Sequence, residues 1–158
     1  MSYSIPPQTS IGHVHLKVSD LEQSLKFYHD LLGFEITQRY GTSAVFISAG
    51  GYHHHIGLST WHSKGAGAAP VNAVGLYHTA IVYPTKKDLA AIVKRLEDAN
   101  YPLTGASDHG VSMAIYLNDP DGNGVELYWD RPTKEWPSDE KGNLEMKTDA
   151  IDWDDLLG

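Results

Sequence analysis

The chain has 158 residues, of which 41% are hydrophobic, and this is enough for one globular domain with a buried core. Its net charge of −8 argues against nucleic-acid binding, and no apolar run is long enough to cross a bilayer. The chain has no cysteine, which excludes disulfides and thiolate chemistry, and MSYSIPPQTS at the start lacks a signal-peptide pattern. We therefore expect a cytoplasmic protein without a membrane or nucleic-acid partner.

The first third of the chain alternates between strand and helix patterns. The run IGHVHLKV, 11–18, places His13 and His15 on one face and apolar side chains on the other, which predicts a strand with one buried face. Residues 20–33 predict a helix capped by Asp20, because apolar side chains recur at helical spacing. Glycine-punctuated strands are then predicted over 34–40, 43–49 and 52–60.

The same order of elements returns after a flexible segment. The run GLYHTAIVY predicts a strand, and Thr85 caps a helix predicted over 86–100. Three more strands are predicted over 101–107, 111–117 and 124–130, and DPDGNG has the composition of a tight turn before the last of them. The chain is therefore predicted to contain two copies of a βαβββ pattern.

This repeat predicts a single α+β domain over 1–158. Module 1 covers 11–63, a small-residue linker covers 64–75, module 2 covers 76–130 and a tail covers 131–158. The two modules are expected to form a curved mixed sheet around one cleft, with the helices on the outside. The acidic tail either packs over the domain or a partner chain, or is a disordered end.

Three side chains in the repeat are suited to hold one divalent cation. His13 and His78 occupy the same place in the two copies, and Glu126 alternates with apolar neighbours in GVELYW. Burying a lone carboxylate is costly, and pairing it with two imidazoles on a cation removes that cost. Two histidines and one carboxylate are typical of non-haem Fe(II) sites. The alternative is two core histidines and a surface glutamate; the repeat symmetry favours the metal site.

Three segments carry a family resemblance. IGHVHLKVSDLEQSLKFYHDLLGF, GLYHTAIVY and DPDGNGVELYW resemble the vicinal oxygen chelate superfamily over about residues 11–130. That superfamily includes glyoxalase I, bleomycin- and fosfomycin-resistance proteins and extradiol dioxygenases. The resemblance implies that His13, His78 and Glu126 bind the metal.

Within the superfamily, the chain is most similar to single-domain proteins of the catechol 2,3-dioxygenase type. This resemblance implies an Fe(II) enzyme, with Mn(II) or another divalent metal as an alternative, that cleaves a catechol-type ring with O₂ and forms a homodimer. It also implies that His54 is an acid–base residue and that His109 and Tyr116 hydrogen-bond the substrate. Tyr116 stands ten residues before Glu126. Phe46, with His15 and His55 beside it, is expected to line the substrate site.

The histidine run YHHHIGL leaves one conflict open. In an unbroken strand His54 points to the same side as Ile56, under the helix, so the pleat favours His53 or His55 at the site. The resemblance favours His54, which then requires a β-bulge.

Two other functions fit the same fold. If His55 points inward and ligates the metal, a four-ligand site like that of glyoxalase I, a metal-dependent isomerase, becomes the better interpretation. A non-enzymatic binding protein, as among the drug-sequestering relatives, needs no metal at all. The sequence does not choose the substrate in any of these cases.

Overall fold

The computed structural model describes residues 3–158 of the chain. The chain divides between Ala66 and Gly67 into two compact units, each with one four-stranded mixed sheet. The α+β class and the tandem βαβββ order are therefore confirmed. Among the described residues, every helix is too short or too polar to span a bilayer.

The elements of unit 1 are β1 (Val14–Lys17), α1 (Leu21–Leu25), β2 (Glu35–Tyr40), β3 (Ala44–Ser48) and β4 (Ile56–Ser59). The strands lie in the order β1-β4-β3-β2. Strand β1 runs parallel to β4, and the other neighbours are antiparallel. Alternate residues such as Leu16, Ile47 and Leu58 are buried on one face, as the strand pattern predicts.

The first helix begins as predicted but changes its hydrogen-bonding register. The Asp20 carboxylate accepts the Gln23 N–H at 2.8 Å, and a π-helical stretch, Lys26–Leu31, follows α1. The Leu32 N–H bonds the Phe27 carbonyl, five residues back. This wider turn lets the adjacent side chains of Phe27 and Tyr28 both enter the core.

The elements of unit 2 are β5 (Thr79–Val82), α2 (Lys86–Asp98), β6 (Leu103–Asp108), β7 (Ser112–Asn118) and β8 (Gly124–Asp130). Unit 2 repeats the topology of unit 1, with the strand order β5-β8-β7-β6 and a parallel β5–β8 pair. Helix α2 is capped by Thr85, whose hydroxyl accepts the Asp88 N–H at 3.1 Å, and one face of the helix is buried.

The strand prediction over 52–60 is wrong in its first half. Strand β4 starts only at Ile56, and His53, His54 and His55 lie in the loop before it. Gly50 and Gly51 both have positive φ, so the chain turns there and does not extend into the sheet. His13 and His78 likewise precede β1 and β5 directly and do not lie within them.

The tail packs within unit 2, as one of the predicted alternatives has it. Ile151 and Leu156 are buried, and the Lys86 ammonium meets the Asp155 carboxylate at 2.6 Å. A 3₁₀ turn (Thr133–Glu135) and a short helix, α3 (Trp153–Leu157), were not predicted. Both are too short to show a helical period.

Candidate functional site

Glu126 and Tyr116 are cross-strand partners on the face of the unit 2 sheet that points away from the core. The register of β7 and β8 pairs them directly, and the Tyr116 hydroxyl is 3.5 Å from Glu126 Oε1. The Glu126 side chain is only 12% exposed, and its Oε2 lies 2.9 Å from His78 Nε2. A largely buried carboxylate therefore faces one of the two predicted histidine ligands.

His78 is held close to β8 by the absence of a side chain opposite it. A Cβ at Gly124 would overlap the Tyr77 carbonyl oxygen and come within 3.2 Å of His78 Cβ. The final glycine of DPDGNG is therefore a steric requirement as well as a turn residue. His78 Nδ1 is buried and has no hydrogen-bond partner within residues 3–158, so this one nitrogen of the ring is left unsatisfied.

His109 and Tyr116 continue the contact between His78 and Glu126, so that four side chains are linked. His109 Nε2 lies 2.6 Å from the Tyr116 hydroxyl, and its Nδ1 lies 2.8 Å from the Lys147 carbonyl oxygen. A carbonyl can only accept, so Nδ1 carries the proton, and in the neutral ring Nε2 accepts from Tyr116. An unbroken series of contacts thus joins His109, Tyr116, Glu126 and His78.

Tyr116 is a neutral phenol over the physiological pH range. Burial, followed by the charge of Glu126, the hydrogen bond to Glu126 and the nearby Tyr77, raises the pKa of Tyr116 to about 12. Tyr116 therefore keeps one donor hydrogen, which faces His109 Nε2, and its oxygen can still accept a hydrogen bond from another group on this face of the sheet.

Unit 1 brings His54 beside His13 and Phe46. The ring centroid of His54 is 4.3 Å from that of His13 and 5.0 Å from that of Phe46, and its Nδ1 is 2.8 Å from His53 Nδ1. Burial, together with the positive charge that the neighbouring His13, His53, His15 and His55 carry when protonated, lowers the pKa of His54. The neutral, proton-accepting form of His54 is therefore favoured.

The two other predicted lining histidines are held by different contacts. His15 Nε2 lies 3.0 Å from the Ser59 hydroxyl, and the His15 ring is 5.3 Å from that of Trp61. His55 Nδ1 instead accepts from the Ala49 N–H at 3.3 Å and lies 3.0 Å from the Ser48 hydroxyl. His15 thus lies among aromatic rings on the sheet, whereas one nitrogen of His55 is used within its own loop.

The predicted ligands are distributed over both units. His13 belongs to unit 1, and His78 and Glu126 belong to unit 2. Within either unit alone, the described side chains do not group three His, Asp or Glu residues into a complete metal site. Imidazole nitrogen and carboxylate oxygen are suitable donors for a first-row divalent cation, and His78 Nε2 and Glu126 Oε2 place one of each 2.9 Å apart. The three-residue ligand set remains a prediction.

Four residues at these sites were missed by sequence reasoning. Gly57 leaves room for the ring of His15, and Gly124 leaves room for the backbone of Tyr77 and His78. Trp61 packs beside His15, and Lys147 binds His109 through its backbone. Only Gly124 had a signal in the sequence, because it follows a turn motif and precedes Glu126 by two residues. A backbone carbonyl such as that of Lys147 leaves no trace in residue type.

Known proteins place this chain in one family. The model of the Glyoxalase/Bleomycin resistance protein/Dioxygenase superfamily matches residues 10–127. The chain is 39% identical over 155 residues to catechol-2,3-dioxygenase of Bacillus subtilis, covering 98% of this chain but 53% of that protein's length. It is 31% identical to biphenyl-2,3-diol 1,2-dioxygenase 3 of Rhodococcus globerulus, covering 89% of this chain and 74% of that one.

Solved structures agree on the fold. A lactoylglutathione lyase from Agrobacterium tumefaciens superposes with a TM-score of 0.61 at 24% identity, covering 78% of this chain and 96% of that one. At this identity the likeness concerns the fold alone. Taken with the matched residues 10–127, it shows that the chain belongs to the Glyoxalase/Bleomycin resistance protein/Dioxygenase superfamily.

Proposed function

We propose that this chain is an extradiol-type dioxygenase that cleaves a catechol-type ring beside its hydroxyl groups with O₂. The observation that carries the proposal is the series of contacts from His109 through Tyr116 and Glu126 to His78. The similarity to a catechol-2,3-dioxygenase supports it, although this chain spans about half the length of that relative. The same resemblance is the basis for a cytoplasmic homodimer.

The proposed metal is Fe(II), with Mn(II) as the alternative, held by His13, His78 and Glu126. The donor set of imidazole and carboxylate is suited to either ion, and the approach of His78 Nε2 to Glu126 Oε2 at 2.9 Å supports the assignment. When bound, such an ion would supply open coordination positions for a diol and O₂.

Tyr116 and His109 would hydrogen-bond the substrate. The phenol of Tyr116 keeps its proton because its pKa is about 12. With that proton donated to His109 Nε2 at 2.6 Å, the Tyr116 oxygen would accept a hydrogen bond from a diol hydroxyl near Glu126. The pair would orient the diol by hydrogen bonds and would not itself be oxidised.

His54 is the proposed acid–base residue. Its lowered pKa favours the neutral ring, which can take a proton from a diol hydroxyl and return it to the ring-opened product. Its position beside His13 and Phe46 supports His54 over His55, whose Nδ1 accepts from the Ala49 N–H. Because His54 lies in the loop before β4, its side chain reaches His13 without a bulge in that strand. Phe46 and His15 would line the substrate ring, with His55 at the edge.

The test is metal loading followed by a panel of diols. Protein purified without oxygen and loaded with Fe(II) should convert at least one catechol to a yellow ring-fission product, and only when O₂ is added. His54→Ala should retain metal while turnover falls by about 10²–10⁴-fold, the range for loss of an acid–base group. The matched variant His55→Ala should keep most of its turnover.

Two results would contradict the proposal. Metal-loaded protein that gives no coloured product with any diol, with O₂ uptake at background, would remove the dioxygenase assignment. Equal losses in His54→Ala and His55→Ala would remove the assigned role of His54. Isomerisation of a thiol hemiacetal by the same metal-loaded sample would point instead to glyoxalase-type chemistry.

A further inference from the structure

The C-terminal tail is hydrogen-bonded to the turn that carries His109. Asp108 and Asp149 exchange two backbone hydrogen bonds, each of 2.9 Å. The Lys147 N–H donates to the His109 carbonyl at 3.0 Å, and the Lys147 carbonyl accepts from His109 Nδ1 at 2.8 Å. Residues 147–149, the positioning segment, therefore hold both the backbone and the ring of His109.

Further contacts fix the same turn in place. Gly110 has φ +75°, and a Cβ there would come within 2.9 Å of Pro137 Cγ, so the tail lies against the turn at van der Waals distance. The Asp108 carboxylate accepts from Arg131 at 2.5 Å and from the Gly110 N–H at 2.8 Å. The turn is thus held by the tail on one side and by the residue after β8 on the other.

We propose that residues 147–149 are a positioning segment of the site, which sets the tautomer of His109. The Lys147 carbonyl keeps the proton on Nδ1, so Nε2 faces the Tyr116 hydroxyl as an acceptor. Without that carbonyl the ring could turn and carry its proton on either nitrogen. Proton-bearing Nε2 would then donate to Tyr116 and direct the phenolic proton toward Glu126.

The experiment reads the tautomer directly in the full chain. With ¹⁵N-labelled histidine at about pH 8, where an ordinary histidine is neutral, the nitrogen shifts of His109 should show a proton on Nδ1 and none on Nε2. The resonance is assigned by its loss in His109→Asn. The protein is kept metal-free, so the measurement does not depend on the dioxygenase assignment.

A proline substitution then releases the segment. Lys147→Pro removes the N–H that bonds the His109 carbonyl, and the shifts should move toward a mixture of both tautomers. Met146→Pro is the matched control, because the Met146 N–H makes no hydrogen bond within the described chain; its spectrum should stay as in the wild type. Circular dichroism establishes that both variants are folded.

Each outcome decides the proposal. Wild-type shifts that place the proton on Nε2 overturn it even if Lys147→Pro fails to fold, and so does a folded Lys147→Pro with unchanged shifts. The effect on turnover rests on the proposed function: Lys147→Pro should lower kcat about tenfold at nearly constant KM, as for a group that orients another. If the tautomer shifts in Lys147→Pro but the metal-loaded wild type shows no turnover, the proposed function is refuted and the positioning role of the segment stands.

Discussion

The two units share a topology but reverse the contents of one cross-strand pair. In unit 1, His15 on β1 faces Gly57 on β4; at the same register position in unit 2, Ala80 on β5 faces Glu126 on β8. Each pair joins one large polar side chain to one of the smallest residues. A duplicated sheet can therefore preserve the space at a position while it changes which strand supplies the polar group.

The polar groups of these pairs are also held differently. The His15 ring lies among aromatic rings and bonds Ser59, whereas Glu126 is held by Tyr116 and His78. Unit 1 thus supplies a surface of rings, and unit 2 supplies a carboxylate with its hydrogen-bond partners. At this register position, unit 2 therefore carries a carboxylate and unit 1 does not.

The largest predicted effect is at the glycine that makes room for His78. In Gly124→Ala the new methyl overlaps the Tyr77 carbonyl, which is backbone and cannot rotate away. We expect a loss of about 3 kcal/mol in the free energy of unfolding, the upper end for overpacking, and a Tm lower by about 10 °C. Thermal unfolding followed by circular dichroism measures both.

Gly105→Ala is the matched control for that substitution. It adds the same methyl to the same sheet, but the nearest atom, Tyr116 Cδ2, is 3.7 Å away, which is ordinary contact. Its Tm should stay within about 2 °C of the wild type, as expected for a change below about 0.5 kcal/mol. Equal losses in the two variants would mean that the approach of Tyr77 to β8 is not what requires Gly124.

A smaller effect is expected at the corresponding pair of unit 1. A Cβ at Gly57 would come within 2.9 Å of His15 Nδ1, but this obstacle is a side chain that can move. Gly57→Ala should cost about 1–2 kcal/mol in the free energy of unfolding by denaturant. In a His15→Ala background the same substitution should be nearly neutral, and a cost that persists there would show that the His15 ring is not the cause.

The smallest predicted effect is a pH dependence that belongs to unit 2. The pKa of Tyr116 is raised to about 12 in the folded chain, against about 10 in an unfolded one. Its contribution to stability is therefore complete below about pH 10 and is lost as the pH rises to 12. Denaturant unfolding between these values should show a shallower loss of stability in Tyr116→Phe than in the wild type. The phenol of Tyr83, whose pKa is also raised to about 12, remains in both proteins as the internal reference. If the unfolding free energy falls with pH equally in Tyr116→Phe and in the wild type, the pH dependence does not come from Tyr116.

Local patterns in the sequence were sufficient for most of the fold. Alternation, helical spacing and the caps at Asp20 and Thr85 predicted the strands and both long helical segments, and the duplicated pattern predicted the tandem modules. The turn at Asp119 was predicted from composition; its carboxylate accepts the N–H groups of Asp121 and Asn123. The same bonding recurs at Asp139 in DEKGN, a turn that was missed because its apolar flanks are weak.

The sequence by itself determined which residue types stand at equivalent places of the two copies, because the periods of strands and helices are local properties of the backbone. Only the tertiary structure decided where His54 points, how the π-helical turn buries Phe27 and why the tail reaches His109. Each of these depends on contacts between distant parts of the chain. A ring beside another ring, or a nitrogen facing a carbonyl 38 residues away, has no periodic signature in the sequence.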